Sequence, residues 1–180
     1  MRLAPYLVLV SLAVIALGCT QKTAIQRSAD DPFLVSPAHI AYNVKIRFTD
    51  TNRTKAVLYA RQGIINEQSQ TTIARENVVV DFYNGAGNLV QARLTADSVV
   101  IDDRTRNMTA FGRVKVESKV RRVTLTTTAL TWVQATARIR TDAVVHIETD
   151  SETIDGQGME SNQDLSSFRL FQVRGVRHKT

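Results

Sequence analysis

ARIRTDAVVHIE, residues 137–148, alternates in character from one position to the next. Ala137, Ile139, Thr141, Ala143, Val145 and Ile147 are small or apolar, whereas Arg138, Arg140, Asp142, His146 and Glu148 are polar. Only Val144 breaks the pattern. A period of two over this length puts one set of side chains on each face of a pleated strand and predicts a half-buried strand. The same signature recurs upstream. Val44, Ile46 and Phe48 alternate with Lys45 and Arg47. Met108, Ala110, Val114 and Val116 share one parity, with Arg113, Lys115 and Glu117 on the other. Thr and Val enrichment, as in VTLTTTALTWV (123–133), agrees with strands.

Turn-forming stretches separate these runs: TDTNR (49–53), YNGAGN (83–88), DDRTRN (102–107), ESKVRR (117–122) and TDSE (149–152). No proline follows Pro37, which suits long strands, because proline removes a ladder donor. The chain also repeats. Residues 58–80 lie over 94–116 at an offset of 36, matching Leu58/Leu94, Ala60/Ala96, Ala74/Ala110, Val78/Val114 and Val80/Val116. Residues 94–116 lie over 125–147 at an offset of 31, matching Leu94/Leu125, Val114/Val145 and Val116/Ile147. A looser unit starts near Ile154. Each unit is two strands and a turn. Such a unit cannot bury its own apolar face and must stack on its neighbours.

The N-terminus is different. Residues 3–18, LAPYLVLVSLAVIALG, are apolar, with Arg2 as the only charge before Cys19. A bilayer core takes about 20 apolar residues, so this run is short for a spanning helix and reads as an export signal. Cys19 is the only cysteine. Its place directly after Gly18 is the bacterial lipoprotein pattern, although Ala16 stands where leucine is usual. The other reading is an ordinary signal or short membrane helix with an incidental cysteine. The expected organisation is a signal over 1–18, a lipid-anchored tether over 19–40 with Pro32 and Pro37, and a β domain over 41–180.

One cysteine permits no internal disulfide, so the fold rests on its core. Without residues 1–18 about 160 residues remain, enough for one such core. The net charge is +6, or +5 once Arg2 is removed, with 6% aromatics. Few stacking platforms and an exported chain argue against nucleic acid, and anionic lipid fits better.

Catalytic patterns are missing. His39, His146 and His178 are scattered, and the chain has no HExxH pair, GxSxG elbow or phosphate loop. Asp102-Asp103 reads as turn chemistry, and His146-x-Glu148 as a solvated pair. Lys119, Arg121 and Arg122 form a basic hairpin end; they are candidate phosphate contacts. Gly156-x-Gly158 suggests a bulge or a close backbone approach within a strand. Trp132 reads as core.

TIDGQGMESNQDLSSFRLFQVRGV (153–176) resembles the closing segment of the LptC family, the periplasmic bridge component of the lipopolysaccharide exporter. The shared features are Gly156-x-Gly158, Asp164-Leu165, the run Phe168 to Phe171, and Val173-x-Gly175. Upstream, Ala96-Asp97, Ala110, Gly112 and Val114 resemble the family's A-D…A/L-x-G-x-V unit, and TLTTTALTW its L-x-T-x-x-L-x-W. The resemblance implies an all-β fold, an open antiparallel β-jellyroll of repeated strand pairs. It implies a non-enzymatic role without cofactor, passing lipopolysaccharide from the permease subunits of an inner-membrane ABC exporter to a periplasmic partner of like fold, joined through edge strands. The alternative is an envelope lipoprotein scaffold without lipid cargo. The groove is expected along Val44, Ile46, Phe48, Val114, Val116, Ile139, Val145 and Ile147, with Gly112, Gly156, Gly158 and Gly175 as structural glycines. A side chain at Gly158 is expected either to enter the acyl space or, if φ is positive there, to strain the backbone. Familiar members keep an uncleaved N-terminal helix, whereas this chain carries Cys19. Thr20 is not the aspartate that retains enteric lipoproteins in the inner membrane. Inner-membrane anchoring by lipid is nevertheless the expectation, on the logic of the family.

The mature protein is therefore expected to begin at an acylated Cys19. Intact-mass measurement of the protein from its native membrane checks this. A mature chain starting elsewhere, or normal processing and fractionation of Cys19→Ser, overturns it.

Overall fold

The computed structural model describes residues 39–178. Nine strands follow one another: β1 (His39–Asp50), β2 (Arg53–Asn66), β3 (Thr71–Tyr83), β4 (Val90–Asp102), β5 (Met108–Ser118), β6 (Thr124–Val133), β7 (Arg138–Glu148), β8 (Glu152–Asn162) and β9 (Phe168–His178). They form one antiparallel sheet in sequence order, with β1 and β9 at its edges. Every strand neighbours its successor in the chain, as hairpins between alternating apolar runs require.

His39 and Ile40 pair with Ile65 and Ile64, so the sheet begins two residues before the expected boundary at 41. The expected turns lie where the chain reverses. Three further reversals, over 67–70, 134–137 and 163–167, carry little Gly or Pro and gave weak signals. Ala137 belongs to one of them, with φ 53°, and does not start the inward row of β7.

Pairing is interrupted midway along nearly every strand. The breaks fall at Tyr59/Gln62 in β2, Arg75/Val78 in β3, Thr95/Ser98 in β4, Phe111/Val114 in β5, Thr127/Thr131 in β6 and Thr141/Val144 in β7. In β1, Asn43 stands at the same level with φ 53°. Aligned bulges bend each strand at one level, which folds the sheet along a crease into two walls. The offsets 36 and 31 found in the sequence carry Glu76 onto Gly112 and Asp97 onto Thr128, so the repeat brings the crease back in each unit. Val144 breaks alternation because it follows the β7 bulge; it is 53% exposed.

Side chains on the inner face alternate in size across neighbouring strands. Beside the crease Ala96 pairs with Val78 and Ala110 with Leu130. Toward the mouth Ala56 lies between Phe48 and Phe82. Trp132 of β6 meets Phe48 of β1 edge-on at 5.5 Å and Phe82 of β3 at 5.8 Å. These three rings are almost fully buried and dominate the area removed from water.

Two glycines show what the crease demands. Gly112 has φ +95°, and a Cβ there would collide with Oδ2 of Asp97. The Asp97 carboxylate accepts hydrogen bonds from the Arg113 backbone N–H and from its guanidinium at 2.9 and 3.1 Å. The guanidinium bond, then the backbone bond, hold Asp97 below the ordinary carboxylate range. Gly158 has φ +72°, and a Cβ there would meet Cδ2 of Phe171 at 2.7 Å. Phe171 is half exposed and borders an outer hollow with Arg140 and Glu160. A side chain at Gly158 therefore strains the backbone on the outer side, and does not enter the inner space.

Each glycine yields a distinguishable outcome in chemical denaturation. Gly112→Ala is expected to cost more than the ~1–2 kcal/mol of a left-handed alanine, because it also strikes Asp97. Asp97→Ala should then recover part of the loss, a coupling above about 0.5 kcal/mol. Additive losses would overturn the contact. Gly158→Ala is expected to cost ~1–2 kcal/mol, nearly as much as Gly158→Arg, and to keep most of that cost in a Phe171→Ala background. Complete rescue by Phe171→Ala would make bulk the cause instead.

Candidate functional site

The register aligns one apolar residue from each strand. Ile46, Leu58, Val80, Leu94, Val116, Leu125, Ile147, Ile154 and Val176 are consecutive direct partners across β1 to β9. At about 4.8 Å per strand this stripe is about 38 Å long. It is buried through the middle of the sheet and less covered at its ends: Ile46 is half-buried and Val176 is 48% exposed. Val173, opposite Gly156 on the same face, is 59% exposed. An inner row on the other wall runs through His39, Ile65, Thr72, Ile101, Met108, Trp132, Ile139, Ser161 and Phe168.

All eight groove candidates face inward. Val44 and Ile46 are half-buried beside the β1 edge, whereas Phe48, Val114, Val116, Ile139, Val145 and Ile147 are covered by the opposing wall and by their neighbours. The alternation that located them holds equally for Leu58, Val80, Leu94, Leu125 and Ile154. These were visible as repeat positions and were not named as groove residues. Val173 and Val176 escaped because the break between Asp155 and Gly156 leaves Arg174 unpaired and shifts the parity of β9.

Charge is confined to the outer face and rims. Arg93 grips Asp81 with two bonds of 2.7 and 3.0 Å. Arg138 pairs with Glu160 at 2.8 Å. His146 lies 2.6 Å from Asp155, which also receives Arg177 at 3.2 Å. The His146 bond, with the nearby Arg177 charge, holds Asp155 below its ordinary range. Two pairs of inner parity, His39–Glu67 at 3.6 Å and Glu152–His178 at 3.9 Å, stand at the rims. A charge on the covered part of this face would cost heavily, and hydroxyls such as Thr127 and Thr141 instead bond to backbone carbonyls at 2.8 and 2.6 Å.

The remaining candidates fall outside this surface. Lys119, Arg121 and Arg122 lie in the exposed β5–β6 turn, at the free rim of one wall. Arg122 pairs with Asp150 at 3.3 Å, both largely exposed, a contact worth about 0–1 kcal/mol. Gly156 is required by close approach: a Cβ there would lie 2.8 Å from the Gln172 carbonyl and 3.1 Å from Leu170. Gly175 has open space where its side chain would be. Cys19, the signal segment and residues 19–38 of the tether lie outside the described residues.

A model of the family described as lipopolysaccharide-assembly, LptC-related, matches residues 6–178. Among solved structures the chain is similar to LptH from Pseudomonas aeruginosa, the LptA-homologous periplasmic component of the conserved lipopolysaccharide transport device. Identity to it is 11% over 80% of this chain and 94% of that one, with a TM-score of 0.48. No curated protein gives a significant match. The family match spans nearly the whole length, including all nine strands, and the chain belongs to the LptC-related family of lipopolysaccharide-assembly proteins.

Proposed function

We propose that this protein is a non-enzymatic bridge in lipopolysaccharide transport, in which the inner face between the two walls carries the acyl chains. The observation that carries this reading is the nine-residue apolar stripe, which crosses the whole sheet, half-buried where it reaches the β1 edge and exposed where it reaches the β9 edge. A scaffold would need a closed core, but it would have no use for an apolar row continued to its open ends. Acyl chains gain about 0.8 kcal/mol per CH₂ moved from water to such a surface. This supplies affinity without catalysis, and the polar outer face stays wet.

The two edges fit the relay role. β1 and β9 each pair on one side only, so each offers a row of backbone donors and acceptors to another strand. A periplasmic protein of like fold, adding a strand to one edge, would extend the stripe. The exporter's permease subunits at the inner membrane would occupy the other end. Cys19 would hold the chain at that membrane through its acyl groups, with residues 19–38 as the tether. Exposed Lys119, Arg121 and Arg122 would meet headgroup phosphates at the rim.

Photo-crosslinking in cells tests the lipid path. A photoreactive residue at Ile46 or Val173 is expected to capture lipopolysaccharide, and one at Arg47 or Arg140 on the outer face is not. Ile139 and Val145 should label more weakly than Val173, because the closed walls cover them. Equal labelling of both faces would remove the inner face as the path.

A further inference from the structure

The side chains that face each other across the fold fill it, so an acyl chain has no route to the middle of the stripe while the walls stay in contact. Polar contacts also cross the mouth, where the Arg106 guanidinium lies 5.8 Å from the Phe48 ring and two glutamines reach over to the opposite wall. Gln163 sits in the β8–β9 turn, is 8% exposed, and uses both ends of its amide. Its Nε2 donates to the Tyr83 carbonyl at the end of β3 at 2.7 Å, and its Oε1 accepts from Nε1 of Trp132 at 3.0 Å. Its backbone N–H donates to the Ala137 carbonyl at 3.2 Å. Beside it Leu165, with φ 57°, turns its side chain into the core and is 3% exposed. Farther along the mouth, Nε2 of Gln134 reaches the Thr49 carbonyl at 3.2 Å.

Tyr83 and Thr49 belong to one wall, and Gln163, Trp132 and Gln134 to the other. We propose that Gln163 is a latch: it closes the mouth by joining the β8–β9 turn to the end of β3, and it must release Tyr83 before an acyl chain can reach the stripe. This rests on the reading of the inner face as the lipid path. The chemistry suits a reversible catch. A glutamine amide holds by hydrogen bonds alone, and water at an opened mouth can satisfy Tyr83, Trp132 and Gln163 in turn, so release leaves no charge stranded. An apolar residue at 163 would seal the core without directional grip, and an ion pair would be harder to separate once buried.

Two arms test the latch in the full-length protein purified in mild detergent, with stopped-flow uptake of fluorescently labelled lipopolysaccharide as the readout. Gln163→Met keeps the volume and removes both side-chain bonds, of which only the one to Tyr83 crosses the mouth; it is expected to take up lipid about fivefold faster, the factor of that one net hydrogen bond. Thr49→Cys with Gln134→Cys, in a Cys19→Ser background, places two thiols across the same mouth without touching Gln163. A short, reducible bis-methanethiosulfonate tether between them should stop uptake, and reduction should restore it. Uptake by the tethered protein at the reduced rate overturns the latch, as does a folded Gln163→Met protein that takes up lipid no faster than the parent. If the reduced, untethered protein takes up no lipid at all, the inner-face reading itself fails, and the latch fails with it.

Discussion

A sheet with one dry face must cover that face, and this chain does so by folding nine strands along a single line. Everything else depends on that crease. A flat sheet would leave the stripe from Ile46 to Val176 in water, and a smoothly curled one would need closure between β1 and β9. Bending at aligned bulges achieves cover while leaving both edges open. The cost is local. Asn43, Glu76, Asn77, Gly112 and Gly158 take left-handed backbone conformations, and Asp97 sits where Gly112 has no side chain.

Packing between the walls mixes sizes at each level. Beside the fold line Ala96 and Ala110 pair with Val78 and Leu130, and toward the mouth Ala56 lies between Phe48 and Phe82. Trp132 of the opposite wall packs on both rings and fills the space that Ala56 leaves. A larger residue at Ala74 or Ala110 would act as a wedge and open the angle.

Function follows from the combination of a closed middle and open ends. The stripe is continuous in register but not in exposure, so its ends are ready for a neighbour while its centre is held shut by contacts across the mouth. On the proposed reading, filling the inner face would exchange protein–protein apolar contacts for protein–lipid ones, and the difference between the two states would be small compared with either alone. The hydrogen bonds of Gln163 would then matter, because they would act on that small difference.

Period-two alternation is local, and it marked the runs at 44–48, 108–117 and 139–147 as strands, with all eight inward candidates on the inward parity. The repeat added the strand pairs, and the closing motifs together with the Gly112 unit pointed to the family. What the sequence could not supply is anything set by the fold angle. Which inward residues are covered and which are bare depends on the opposing wall; Ile46 and Ile147 look alike in sequence and differ in exposure for that reason. The conformation at Gly158, the parity shift at Arg174 and the approach of Asp97 to Gly112 arise from bulge geometry that has no periodic signature. Gln163 and Tyr83 are 80 residues apart, and their contact exists only because the crease brings the ends of β3 and β8 together.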